Sequence, residues 1–231
     1  MAAKIETEAT PREPLSRERV LEAAVVLADQ EGVGSLSMRK LARGLGVVPM
    51  ALYKHVANKD ELLDGMIDVV VAEIDPPRRD AGWKVAVRER ILSARRALLR
   101  HPWASRVMES RTEPTPTVLA YMDSMIGMFL EGGFSIDETH HVMHAMGSRL
   151  MGFSQELFND TTDSDAELES EMWEAMGEAF PNILRLYRAI THDEASVVGP
   201  GCDDQFEFEF ALDLLLDGID RIRDRAREPR T

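Results

Sequence analysis

Hydrophobic positions recur at three- and four-residue spacing along most of the chain, the period of an α-helix. Val20, Ala24, Leu27 and Ala28 predict a first helix opened by Ser16 and ended at Gly32 or Gly34. Met38, Leu41, Ala42 and Leu45 fall at i, i+3, i+4 and i+7, with Ser37 placed to cap them. Gly44 and Gly46 supply the backbone freedom of a sharp turn. A second short helix is expected over 49–55. Pro49 suits its first turn, Leu52 and Val56 face inward, and Tyr53, Lys54 and His55 face outward. The first helix would brace this pair, giving a three-helix unit.

Asn58 is a good N-cap for a helix over 59–74 with two apolar stripes. One is Leu63, Ile67, Val70, Val71 and Ile74; the other is Leu62, Met66 and Val69. A helix apolar on two sides packs between two neighbours. Pro76 and Pro77 break the pattern. Beyond them helices are expected over 83–100, around Trp103, Val107 and Met108, and over 118–130. On the first of these, Val87, Ile91, Ala94 and Leu98 form the stripe, and Arg88, Arg95 and Arg96 lie outward. Ser135 and Glu138 form a capping box for a helix over 136–157. Its apolar stripe is Val142, Met143, Met146, Leu150, Phe153 and Leu157. A second face of mostly small residues carries His141, Ala145, Ser148 and Gly152. Close packing within the chain and a homodimer interface both account for it. Residues 159–170 are acidic and poor in large apolar side chains, as in a flexible loop. Short helices are expected around Met172, Trp173, Met176 and Phe180 and over 183–190, then a loop over 192–205. The last helix, over 206–227, carries Phe208, Leu212, Leu215, Leu216, Ile219 and Ile222. The fold class is all-α.

A helix, a tight turn and a short helix exposing hydrogen-bonding groups is the DNA-reading helix-turn-helix, although ordinary helical hairpins share the spacing. Residue types favour DNA. Arg39, Lys40, Arg43, Lys54 and Lys59 supply cations, and no acid lies between residues 39 and 59.

The segment LSMRKLARGLGV followed by ALYKHVANKDELLDGM closely resembles the N-terminal domain of the tetracycline-repressor-like (TetR) family of bacterial regulators. Leu52, Tyr53, His55, Lys59, Leu62 and Leu63 stand where that family's recognition-helix pattern has them. The match covers about residues 16–75, and FALDLLLDGIDRI near the C-terminus resembles the family's last helix. The resemblance implies an N-terminal helix-turn-helix domain followed by a larger helical ligand-binding and dimerisation domain. It implies that Arg39 and residues 49–55 lie in the major groove, and that the 59–74 helix acts as a lever. It also implies that the helices near 136–157 and 206–227 meet their symmetry mates in a four-helix bundle. The expected organisation is a flexible arm over 1–15, a DNA-binding domain with its connecting helix over 16–75, and a ligand-binding and dimerisation domain over 76–231.

Composition modifies this picture in three ways. The net charge of −14 disfavours nucleic acid until it is divided. Residues 1–60 hold 9 Lys and Arg against 8 Asp and Glu, and residues 61–231 hold 18 against 33. Attraction to phosphate is local, because salt screens charges beyond about 8–10 Å. The acids of the arm set it apart from the basic arms that enter a minor groove. Cys202 is the single cysteine, so no intramolecular disulfide forms. With neither signal-peptide run nor membrane-length apolar stretch, the chain is expected in the cytoplasm, off the membrane.

The expected DNA contacts are Arg39, Pro49, Met50, Ala51, Tyr53, Lys54, His55 and Lys59. Tyr53, Lys54 and Lys59 hold phosphates and Arg39 reads a guanine edge. Pro49, Met50 and Ala51 stand where related proteins carry more polar residues, which shifts readout toward thymine methyls and DNA shape. The partner is a palindromic double-stranded operator, released when a small apolar effector binds among residues 101–180. Candidate lining residues are His101, Trp103, Met108, Met122, Phe129, His144 and Trp173. The surrounding acids and methionines point to a neutral or cation-tolerant ligand. No cofactor is expected. His140 and His144 lie at i, i+4, but no paired Cys or HExxH pattern joins them, so no metal is assigned. Two rivals remain: a DNA-binding regulator answering to a protein partner, and an all-α enzyme using the His cluster. Against the enzyme, no nucleophile–base constellation or phosphate loop is present.

Overall fold

The computed structural model describes residues 14–150, 179–182, 185 and 204–227, and the described residues form helices and turns without strands. They group into two compact units, Met1–Thr139 and His140–Thr231.

Helix α1 spans Arg17–Glu31, and Ser16 caps it by accepting from the Arg19 N–H at 3.2 Å. It buries Val20, Leu21, Ala24, Val25 and Ala28. Helix α2, Met38–Leu45, is capped by Ser37. It ends at Gly46, whose φ of 66° is left-handed. The Val47 N–H bonds the Ala42 carbonyl and the Gly46 N–H bonds that of Arg43. This crossed pair is a Schellman stop, and it needs glycine at Gly46. Gly44, expected to share the turn, lies inside α2 with open space where a Cβ would stand.

Helix α3 is one turn, Pro49–Leu52, shorter than the expected 49–55. After Leu52 the backbone tightens: Lys54 and His55 bond carbonyls three residues back. Leu52 and Val56 are buried, as expected of the inward-facing positions.

Helix α4, Lys59–Ala72, buries Leu62, Gly65, Met66, Ile67, Val70 and Val71, while Leu63, Val69 and Ile74 are half-buried. It packs against α1 on one side and against α5, Trp83–Arg100, α6, Ala104–Glu109, and α7, Pro116–Glu131, on the other. That is why two stripes were needed. Gly65 is where α1 and α4 approach: an added Cβ would lie 2.6 Å from Leu21 Cδ2. Trp83, Phe129 and Phe134 form an aromatic cluster, with ring centroids 4.8–5.7 Å apart.

Helix α8, Ile136–Leu150, starts with the expected capping box. Ser135 Oγ accepts from the Glu138 N–H, and the Glu138 carboxylate accepts from the Ser135 N–H at 2.7 Å. Val142 and Met146 are buried, and His141 and Ala145 on the small-residue face are exposed. Helix α9, Asp204–Arg227, buries Phe208, Leu212, Leu216 and Ile219. Phe206, Phe210 and Leu214 form a second, exposed row at four-residue spacing, unexpected from the sequence, and Ile222 is also exposed. Residues 1–13 of the arm expected over 1–15, the end of the 136–157 helix, the acidic loop, Trp173 and Cys202 lie outside the described residues, whereas Leu15, at the end of that arm, packs against the core.

Candidate functional site

The tip of the first unit is built on a fixed backbone. Leu41, Ala42, Leu52 and Val56 are buried in the same core as α1 and α4. Arg17 on α1 reaches across to the far end of α3: its Nη1 donates to the His55 carbonyl at 3.0 Å and to Glu61 at 2.7 Å. Glu61 also accepts from the Ala57 N–H at 2.7 Å. The Ala57 hydrogen bond, opposed by desolvation and aided by Arg17, holds the Glu61 carboxyl below its ordinary range. Asn58 caps α4 by accepting from the Glu61 N–H. The turn joining α3 to α4 is therefore clamped from three sides.

Outside this frame Val48 and Met50 are about two-thirds or more exposed. Pro49, Tyr53, Lys54, Lys59, Arg39 and Arg43 are exposed, while Ala51 and His55 are half-buried. Of the five cations read from the sequence, Lys40 pairs with Glu31. Among the described residues Arg39, Arg43, Lys54 and Lys59 have no carboxylate partner, so their charge is available to a polyanion.

Two groups of side chains bind α4 to the segment that follows α5. At the C-terminal end of α4, His101 is buried with each ring nitrogen facing a carboxylate. Nδ1 lies 2.9 Å from Asp29 on α1, and Nε2 lies 3.0 Å from Glu73. The Trp103 indole N–H donates to Asp29 at 2.6 Å, and Arg100 donates to Glu73. Burial alone would lower the His101 pKa, but the two carboxylates outweigh it and raise it. Toward the N-terminal end, Arg111 holds Asp60 at 2.9 Å and Asp64 at 2.7 Å, and the Thr115 hydroxyl donates to Asp68 at 2.5 Å. Asp60, Asp64 and Asp68 stand at i, i+4 and i+8, one stripe on α4. That acidic spacing stands in the sequence, but it points to no partner there, because the basic residue it meets is 47–51 residues away.

Of the effector-lining candidates, His101 and Trp103 come together, 6.1 Å between centroids, but both are committed to Asp29. Met108 lines a cleft of about 40 Å³ with Asp64, Ile67, Arg111, Glu113, Pro114, Thr115 and Val118. Phe129 is fully buried in the aromatic cluster, and Met122 on α7 is exposed. His144 is exposed on α8, its ring 4.6 Å from that of His140. Trp173 lies outside the described residues. Among the described residues no three metal-ligating side chains gather to hold an ion.

Comparison with known proteins agrees with this architecture. Residues 20–66 match the model of bacterial regulatory proteins of the tetR family, and residues 76–223 match the tetracyclin repressor-like C-terminal domain. The HTH-type transcriptional repressor DrrR1 of Streptomyces coeruleorubidus is 30% identical over 91% of this chain and 79% of its own length. The class D tetracycline repressor of Escherichia coli is 29% identical over 89% of each chain. The crystal structure of the TetR family protein ActR of Streptomyces coelicolor in complex with (S)-DNPA superposes with a TM-score of 0.67. It is 27% identical and covers 90% of this chain and 98% of that one. With both of its halves matched, from the helix-turn-helix to the last helix, the chain belongs to the TetR family of bacterial transcriptional regulators.

Proposed function

We propose that this chain is a ligand-responsive, homodimeric repressor that binds a palindromic operator and releases it when a small molecule binds the helical domain beyond residue 75. The observation that carries the reading is the exposed tip around Pro49, Met50 and Tyr53. Its four cations Arg39, Arg43, Lys54 and Lys59 have no carboxylate partner among the described residues of a chain of net charge −14. The names of DrrR1 and of the class D protein, both repressors, support the sign of regulation. The ligand held by ActR supports a small-molecule effector. The exposed Phe206, Phe210 and Leu214 row on α9 and the exposed His141 and Ala145 on α8 support pairing with a second copy. Two-fold readers present recognition helices about 34–36 Å apart, one turn of duplex.

The clamps on α4 supply the coupling. The segment 101–115 grips α4 at Glu73 through His101 and at Asp60, Asp64 and Asp68 through Arg111 and Thr115. A ligand that displaces this segment moves α4, and α4 shares its core with the reading helices. The displaced state must bind ligand more tightly than the DNA-competent one, or the equilibrium does not shift. Selection of genomic fragments by the purified protein, followed by anisotropy titration with the recovered duplex, tests the reading. Absence of any selected fragment at low ionic strength would end it.

A further inference from the structure

Helix α5 turns the side chain of Arg90 into the protein. Ala86, Val87, Ile91, Ser93 and Ala97 are buried with it, so a cation occupies the middle of the apolar stripe. Arg90 is 8% exposed. Its Nη1 donates to the Asp75 carbonyl, and its guanidinium carbon lies 4.9 Å from the centre of the Tyr121 ring on α7. No carboxylate of the described residues forms an ion pair with it, and its Nε–H is buried without an acceptor. One turn along α7 from Tyr121, the Ser124 hydroxyl is also buried without a partner. Burial lowers the Arg90 pKa, partly countered by Tyr121 and Asp75, yet a guanidinium stays ionised at any physiological pH.

A buried charge left with a free donor is costly, and native proteins keep few of them. One backbone carbonyl and one aromatic face compensate only part of a guanidinium's lost hydration. The remaining donor is fixed by its neighbours. With the Tyr121 ring centre 4.9 Å from the guanidinium carbon and Nη1 committed to the Asp75 carbonyl, the buried Nε–H is left, and the Nε edge of a guanidinium takes a carboxylate side-on.

Resting on the effector reading above, we propose that Arg90, Tyr121 and Ser124 form the anion-accepting subsite of the effector chamber. The effector is then a largely apolar, planar molecule carrying one ionised oxygen, such as an aromatic carboxylate or an acidic phenol. Its anion accepts from the Arg90 Nε–H, and its ring extends along Tyr121. This revises the neutral or cation-tolerant ligand expected from composition, because one buried cation outweighs many screened surface acids.

The test uses two dyes on the full-length protein. Anilinonaphthalene sulfonate is apolar and anionic; Nile red is apolar and neutral. The expected result is saturable binding of both, with Arg90→Met weakening the anionic dye about tenfold or more and leaving Nile red unchanged. Arg90→Lys, which keeps charge without the Nε–H, should fall between. Equal affinity of wild type and Arg90→Met for the anionic dye would overturn the subsite while leaving the effector chamber standing. So would wild type that takes Nile red alone. Failure of both dyes to bind wild type would remove the chamber itself. Circular dichroism and operator binding check folding; if Arg90→Met does not fold, the Arg90→Lys titration decides alone.

Discussion

Both oxygens of Asp29 lie within 3.0 Å of His101 Nδ1, joining the last turn of the DNA-binding unit's first helix to the segment after α5 across 72 residues of sequence. Glu73 faces the other ring nitrogen at 3.0 Å. Only an imidazolium can donate to both carboxylates at once.

Stability should therefore depend on pH through His101. Its folded pKa is raised, so its contribution is complete below the unfolded value and is lost as pH climbs through the folded one. Wild type should exceed His101→Gln by roughly 2 kcal/mol at low pH, and the margin should shrink as pH rises through neutrality. Urea titrations at pH 6 and pH 9 measure it. A margin that stays constant or widens would show that His101 is neutral in the folded protein.

Lys59 and Arg39 should separate positioning from reading. Lys59→Ala should weaken all duplexes about equally and reduce the slope of log affinity against log salt by about 1. Arg39→Ala should cost about 1–3 kcal/mol on the selected operator and relax preference at one base pair per half-site. Titrations over several salt concentrations on specific and scrambled duplexes distinguish the two. If Arg39→Ala weakens both duplexes equally, Arg39 contacts the backbone.

Gly65 should resist even alanine. A glycine-to-alanine change inside a helix ordinarily gains up to about 1 kcal/mol. Here the new methyl would meet Leu21, which is itself packed into the core. Gly65→Ala should instead destabilise by about 1–3 kcal/mol. Combined with Leu21→Ala the costs should be less than additive, with coupling of about 1 kcal/mol. Simple additivity in denaturant melts would mean that Leu21 moves aside without strain.

The last helix should show which of its faces meets a second copy. Leu214 is 59% exposed and Leu216 is fully buried. Leu214→Glu should give folded monomers in light scattering with helical content retained. Leu216→Glu should unfold the domain by burying an unpaired charge. A persisting Leu214→Glu dimer would move the interface elsewhere.

Much of the fold was written in local spacing. The capping residues Ser16, Ser37, Asn58 and Ser135 act within three residues of themselves, and all four caps form as read. The two stripes of α4 announced its two neighbours, and the acid-free tip announced a partner of opposite charge. These depend on helical period and residue type, which are properties of short segments. What the sequence left open depends on pairings 15 to 74 residues apart: Asp29 with His101 and Trp103, Asp60 and Asp64 with Arg111, Asp75 with Arg90. Nothing in a one-dimensional pattern marks which acceptor meets which donor. Likewise the choice between a ligand-lining His101 and a clamped one was made only when α1, α4 and α6 were brought together around it. Helix formation is local, so the chain alone marked where the described helices lie, although not where α3 ends. Burial and charge pairing are properties of packed surfaces, so the tertiary structure decided which polar groups are occupied and which remain free to bind.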